Sequence, residues 1–516
     1  MEVQPTQFVD IPCPVLQAIM AQAGLNMISS LRMACRTTKN AVDETIRTLH
    51  IKDIHIGWLM SDAGRAQVAR LMQDLPCLQE IELVRTAVPK CNEAIPMIWD
   101  ADFLKLLVYA FRDTSPPGRC LRKLDFLPKP ASCRSCMWTL DTLRTISSIA
   151  PELQHLGLNL GLTVGPEPHS AFCAALPPRL QSLDLDTQAR HTKIMDLHPL
   201  RALSSLTAVR LVLDVLAPPN QDVHEAPWDP VVSMLCCLFQ SWPCLRRAML
   251  FDLQGSLASP EGGRLFEYLP TTLEQLSVQA TIHRTLAPKM RHLTSLALLS
   301  MFDVTIPLLL EIADLPKLQQ LTVFGDLLMD PAGLQMLSTF CQQMEMGATK
   351  FPSLTCCVLR HATGTLVGVL GAIAPKVTSL CLEIDPLSMN QKQTLGKVVH
   401  FGSLKTLTLQ GDLTAVDDAL AQSLSTRLKS LEALAVLHSL GQDALHLDPH
   451  LTGPAMGPLG LHALSRLPRL QKIELRGCPC ISQLPKEEMT SWLGDCGIRL
   501  IVDGETVFEG PCAALE

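Results

Sequence analysis

The chain has 516 residues, 47% apolar and 18% charged, with a formal charge of −7 at neutral pH. That balance excludes a disordered chain, and with no long Lys/Arg block it offers no electrostatic footprint for nucleic acid or a membrane surface. The opening MEVQPTQFVD lacks the basic start and apolar stretch of a secretory signal, and the longest apolar run, around Leu366 to Ala374, is too short to span a bilayer. The nineteen cysteines are therefore expected as reduced thiols, in the cytoplasm or nucleus. Cys236, Cys237, Cys356, Cys357 and Cys381 suit small core positions.

Residues 1–50 differ from the rest of the chain. Apolar spacing predicts short helices over about 13–22, 27–35 and 38–46, broken at Gly24 and near Arg36. Ile11-Pro12 opens the segment, Val15, Leu16 and Ile19 line the first helix, Leu31 lies on the second, and Ala34-Cys35-Arg36 closes it. This pattern resembles an F-box, whose opening Leu-Pro pair, aliphatic helices and closing Val-Cys-Arg align with these residues. It departs at Thr38, where the family often has Trp or Phe. The resemblance implies docking on a Skp-type adaptor of a cullin-based ubiquitin ligase, through positions Pro12, Leu16, Ile19, Leu31 and Cys35. The alternative is a plain helical cap over the first unit of a repeat array.

From Ile46 onward one frame recurs, L-x-x-L-x-L. It reads Leu180-Gln-Ser-Leu183-Asp-Leu185, Leu293-Thr-Ser-Leu296-Ala-Leu298 and Leu404-Lys-Thr-Leu407-Thr-Leu409. Further ladders start at Leu78, Leu121, Leu153, Leu206, Leu245, Leu273, Leu318, Leu354, Val377, Leu431 and Leu470. Those at Leu245 and Leu354 are weak, with Ala248 and Cys357 at the second Leu position, and the one at Leu431 has a rival start at Leu428. Within each ladder apolar and polar residues alternate, the strand period; between ladders the spacing is helical. Starts are 26 residues apart from Leu180 to Leu206 and 27 from Val377 to Leu404. These segments resemble leucine-rich repeats of the irregular intracellular class. The resemblance implies an α/β solenoid, a leucine-rich-repeat horseshoe with a short all-α N-terminal F-box-like module. The expected divisions are 1–50 (helical module), 51–497 (repeats) and 498–516 (a capping strand from Ile498, then a tail left loose from Phe508).

The eighth residue after a ladder start is where such repeats leave the strand. Here it is Asp at 214, 326, 385 and 412, a residue suited to tight turns. Cys478 in Leu475-Arg-Gly-Cys478 resembles the cysteine-containing repeat subtype. The longer repeats carry inserts at Val84–Trp99, Leu127–Trp138, Asp214–Trp228 and Leu437–Pro458. Trp99, Trp138 and Trp228 could form an aromatic rim, although a hydrophobic staple accounts for Trp99 on Leu104 and Trp138 on Leu143.

Catalytic motifs fail on inspection. His224-Glu225 lacks the second His of a zinc-protease helix, because Trp228 occupies that position, and Gly396-Lys397 lacks the rest of a phosphate loop. Cys133 and Cys136 have zinc-ligand spacing, with Cys120 and Cys91 in neighbouring inserts, but one C-x-x-C in a cysteine-rich chain is better read as coincidence. His155 and His292 fit exposed strand or loop positions and form no cluster. No metal, no cofactor and no enzymatic activity are expected.

What remains is surface. Side chains alternate along a strand, so residues between the ladder leucines face away from the core, onto the concave side of a horseshoe. Early repeats present Glu80, Glu82, Asp125, Asp184 and Asp186; middle ones Arg247, Met249, Phe251, Leu299, Phe324, Val358 and Arg360; late ones Thr406, Thr408, Gln410 and Lys472. Apolar and arginine side chains on a solvent-facing sheet mark a binding surface, which nominates Arg247, Met249, Phe251, Phe324, Val358 and Arg360. A one-residue slip in the weak Leu245 ladder would instead turn Met249 and Phe251 into core. The reading is a non-enzymatic substrate-recognition subunit of a Skp–cullin–F-box-type ligase, holding an unknown protein substrate. The alternative is a leucine-rich scaffold or inhibitor with no ubiquitin role.

Overall fold

The computed structural model describes residues 47–52, 63, 66, 78–84, 121–125, 140–159, 169–186, 197–213, 229–252, 265–279, 290–299, 304–325, 327–328, 335, 350–384, 390–411, 413–438, 454–482, 484–485, 489, 493 and 497–509. The chain forms two units. Unit 1 comprises residues 1–245 and 249–254, and unit 2 comprises 246–248 and 255–516.

In unit 1 the strands are β1 (Thr48–Lys52), β2 (Glu80–Val84), β3 (Lys123–Asp125), β4 (His155–Asn159), β5 (Ser182–Asp186) and β6 (Ala208–Leu213). Each pairs in parallel with the next. The division between the units falls within β7 (Arg247–Asp252). Unit 2 continues with β8 (Gln275–Gln279), β9 (Ser295–Leu298), a two-residue β10 (Val304–Thr305) and β11 (Gln320–Phe324). A two-residue β12 (Leu327–Leu328) pairs with β10. There follow β13 (Cys356–Arg360), β14 (Ser379–Ile384), β15 (Thr406–Gly411), β16 (Ala433–His438) and β17 (Lys472–Arg476). From β8 to β17 the main ladder is parallel in the same register, with the short β10 and β12 set apart from it. A parallel strand per repeat with helical returns between is an α/β repeat solenoid.

One backbone device recurs within each unit. The carbonyl of the residue after a ladder start accepts two N–H groups from the next repeat. Gln154 takes Gln181 and Ser182, and Lys405 takes Glu432 and Ala433. Arg246 and Thr355 do the same, so the weak ladders at Leu245 and Leu354 keep the common frame. Ala248 and Cys357 accordingly lie in the core at 1% and 0% exposure. The slip is therefore absent, and Arg247, Met249 and Phe251 alternate with the buried Ala248 and Leu250. The ladder near 431 starts at Leu431, because Glu432 carries the paired carbonyl, while Leu428 ends the preceding helix.

The helical returns bury their apolar sides beneath the ladders, as with Leu366, Val367, Leu370 and Ile373 of the helix Gly364–Ile373. Helix Pro458–Ser465 has no side-chain cap of its own. Asp418, at the start of the preceding helix (Asp418–Arg427), supplies one: its Oδ1 accepts from Gly457 N at 2.8 Å and Gly460 N at 2.7 Å. A Cβ at Gly460 would collide with Met456 Cγ at 2.7 Å and crowd that carboxylate. Asp418→Ala is expected to cost about 1–2 kcal/mol, as cap removals do, measured as a lower urea midpoint. A loss indistinguishable from zero would show that water satisfies both donors.

The far end departs from expectation. Beyond β18 (Arg499–Val502), parallel to β17, the chain reverses through Asp503 and Gly504. It returns as β19 (Glu505–Glu509), antiparallel to β18. Phe508 and Glu509, read as the start of a loose tail, are strand residues, because the Asp-Gly turn allows a hairpin. The cysteines also divide differently from the sequence reading. Cys236 and Cys357 are buried, but Cys356 and Cys381 are only half-buried at outward strand positions, and Cys237 is half-buried too. Strand alternation puts the thiols of 356 and 357 on opposite faces.

Candidate protein-binding face

The outward face of unit 1 gathers charge. Register places Asp125, Gly157, Asp184 and Arg210 in one row across β3 to β6. Arg210 Nη1 donates to Asp184 Oδ1 at 2.8 Å, and its guanidinium lies 5.2 Å from the centre of the Phe251 ring. Arg210 therefore bridges a carboxylate and an aromatic face, two partners that its planar cation suits. Burial pushes the Asp184 carboxyl above its ordinary range, against the opposing pull of Arg210. His155, expected at an exposed position, is half-buried and points Nε2 at Asp125 Oδ2, 3.6 Å away. That is too long for a hydrogen bond, and the buried Nε2 has no hydrogen-bond partner. The signal was available once ladders were aligned, since Asp125 and His155 both occupy outward positions of consecutive strands.

The nominated residues fall into both units. In unit 1, Met249 is 45% exposed and Phe251 half-buried, while Arg247, which is exposed, belongs to unit 2. In unit 2, Phe324 and Val358 are half-buried on adjacent outward positions of β11 and β13, and Arg360 is exposed. Phe324 packs against the His361 ring, centroids 4.7 Å apart, while Arg360 Nε lies 3.3 Å from Glu383 Oε2 on β14. Burial raises the Cys381 thiol above its ordinary range despite Arg360 nearby. Phe324 and Arg360 are neighbours by register and so form one patch. Glu80 bonds to the Thr48 hydroxyl at 3.1 Å, and Lys472 and Arg476 share Glu474.

Pro12, Leu16, Ile19, Leu31 and Cys35 lie outside the described residues, as do Cys91, Cys120, Cys133, Cys136, Trp99, Trp138, Trp228 and the four turn aspartates. Among the described residues no group of three or more His, Cys, Asp or Glu is placed to hold a metal ion, and no helix is long and apolar enough to cross a membrane.

No family model matches the chain, and no curated protein matches it. Among solved structures it is similar to the leucine-rich repeat-containing protein LegL7 from Legionella pneumophila. Identity is 13%, the match covers 73% of this chain and 94% of that one, and the TM-score is 0.30. So low a TM-score carries no argument. The leucine-rich-repeat character rests on the ladder register above, and it defines the class: a leucine-rich α/β repeat array.

Proposed function

We propose that this chain is a non-enzymatic recognition subunit, holding a protein partner on its outward sheet face and docking through residues 1–50 on a Skp-type adaptor of a cullin-based ubiquitin ligase. The observation that carries the first half is Met249, 45% exposed on a strand whose alternate residues Ala248 and Leu250 are fully core. An exposed thioether beside Phe251, with an arginine stacked on that ring, has the composition of an interface centre. The second half is supported by the F-box resemblance of Ile11-Pro12 through Arg36. In this reading the ubiquitin is transferred by other subunits, the chain needs no cofactor, and it works in the cytoplasm or nucleus.

The test is binding of purified Skp-type adaptor to the full chain and to Leu16→Asp/Leu31→Asp. Saturable binding by the full chain, lost in the variant while both show the same circular dichroism and melting temperature, is the expected result. Failure of the well-folded full chain to bind would remove the ubiquitin role and leave a scaffold or inhibitor capped by residues 1–50.

A further inference from the structure

One edge of unit 2 collects charge that the sequence disperses. The turn leading into each strand runs from four residues before the ladder start to one after it. In the eight such turns before β8, β9, β11 and β13 to β17, Lys and Arg number ten against three Asp and Glu. The six turns of unit 1, at ladder starts Ile46 to Leu206, hold four of each, and the whole chain is negative. The excess is therefore no demand of the repeat itself. All three acids are paired within the edge: Glu274 with Arg246, Asp314 with Lys350 and Glu432 with Lys405. The shared carbonyls from Glu274 to Glu432 set the turns side by side. Lys317 Nζ reaches His292 Nδ1 of the turn before at 3.2 Å, and Lys376 Nζ reaches the Pro352 carbonyl at 2.9 Å. Arg427, Lys429 and Arg466 sit at helix ends, where a cation offsets the helix dipole. Lys317, Lys376 and Arg469 lie past the helices, one residue before a ladder start. These three and Arg291 are exposed, and among the described residues none is paired with a carboxylate.

Soluble surfaces intersperse the two signs, so an unmatched row of one sign repels itself and attracts a polyanion. Strand spacing of about 4.8 Å makes this row roughly 34 Å long, which about ten residues of an extended chain would cover. The side chains along the row narrow the occupant. The only Phe, Tyr or Trp residues in these turns, Phe351 and Phe401, are both 1% exposed. No ring is therefore offered to stack nucleobases or to enter a lipid headgroup layer. Carboxylates need no such platform: arginine grips them through two parallel N–H bonds, and lysine holds them as a point charge.

We propose that this edge binds an extended, Asp/Glu-rich segment of a partner protein, running across the turns before β8 to β17. It adds a second surface to the recognition reading and depends on neither the sheet face nor residues 1–50. The probe is a labelled peptide of about twelve residues alternating Glu and Ser, titrated onto the full chain beside its counterpart with Gln for Glu. The acidic peptide is expected to bind saturably and about tenfold or more tighter than the neutral one. Its binding should weaken about tenfold or more as salt rises from about 0.05 M to about 0.5 M. Lys376→Glu/Arg469→Glu should weaken it about tenfold or more as well. Arg122→Glu/Arg179→Glu makes the same charge change at exposed residues on the equivalent turns of unit 1 and should leave binding unchanged. Unaltered melting temperatures certify the folds, and Lys317→Glu/Lys429→Glu takes the place of the first pair if that pair lowers its own. No binding of the acidic peptide, equal losses in the unit 1 and unit 2 variants, or tighter binding of an oligothymidine or of phosphatidylserine vesicles would each overturn the proposal. None of these results bears on adaptor docking, so the recognition reading fails or stands separately.

Discussion

Trp242→Ala is expected to lower the unfolding free energy by about 3–5 kcal/mol, the range for emptying a large buried site. Trp242 is 0% exposed, stands edge-on to Phe239 at 5.7 Å between ring centres, and donates from Nε1 to the Leu200 carbonyl at 3.1 Å. Leu200 belongs to the short turn His198–Ala202 of the preceding repeat, so the indole fastens two repeats together. Trp242→Phe should keep part of the packing and lose only the indole donor, since the Leu200 carbonyl still accepts from Leu203 N at 3.0 Å, at about 0.5–1.5 kcal/mol for the hydrogen bond. Urea unfolding measures both, and hydrogen exchange should show faster opening around residues 197–213 in the alanine variant. A loss under about 1 kcal/mol for Trp242→Ala would mean that neighbouring side chains collapse into the space.

Gly411→Ala is the second large effect. Gly411 ends β15 at φ 97°, a conformation that costs a side-chain-bearing residue roughly 1–2 kcal/mol. A Cβ there would also be driven into the Ile384 carbonyl oxygen on the adjacent strand β14, adding an overpacking cost of about 1–3 kcal/mol. Calorimetry should show a clear drop in melting temperature, whereas Gly402→Ala, where an added Cβ meets nothing within 4 Å, serves as a control. Equal melting temperatures for the two variants would refute the strain argument.

The ladders were legible because a strand with one buried face repeats every second residue, and the leucines mark that face without ambiguity. Even the weak repeats obeyed, since Ala248 and Cys357 are small enough to be core yet too small to announce it. The way off the strand was less legible. The eighth positions, Asp214, Asp326, Asp385 and Asp412, lie outside the described residues, while Gly325, His361, Gly411 and Gly477 adopt left-handed backbone one residue earlier. Three glycines at one offset were the available signal. Trp242 was passed over because it sits at a helix end rather than in an insert, and its importance lies in a hydrogen bond to another repeat. The pairing of Asp184, Arg210 and Phe251 likewise depends on three separate repeats, whose side-chain reach no single ladder reveals. The cysteines at 356 and 381 were misplaced because residue type was weighed above strand parity.

The reversal at Asp503-Gly504 has a consequence for assembly. Asp503 Oδ1 accepts from Gly477 N at 2.8 Å and its Oδ2 from the Ser482 hydroxyl at 2.7 Å, so the turn is anchored to the last repeat. The pairing of β19 with β18 is antiparallel and carries a register shift between Leu500 and Ile501, which breaks the regular pattern of the parallel ladder. The two Asp503 bonds therefore hold an irregular strand, in place of one more regular ladder strand, against the open edge of β18, and so blunt that edge as a template for pairing.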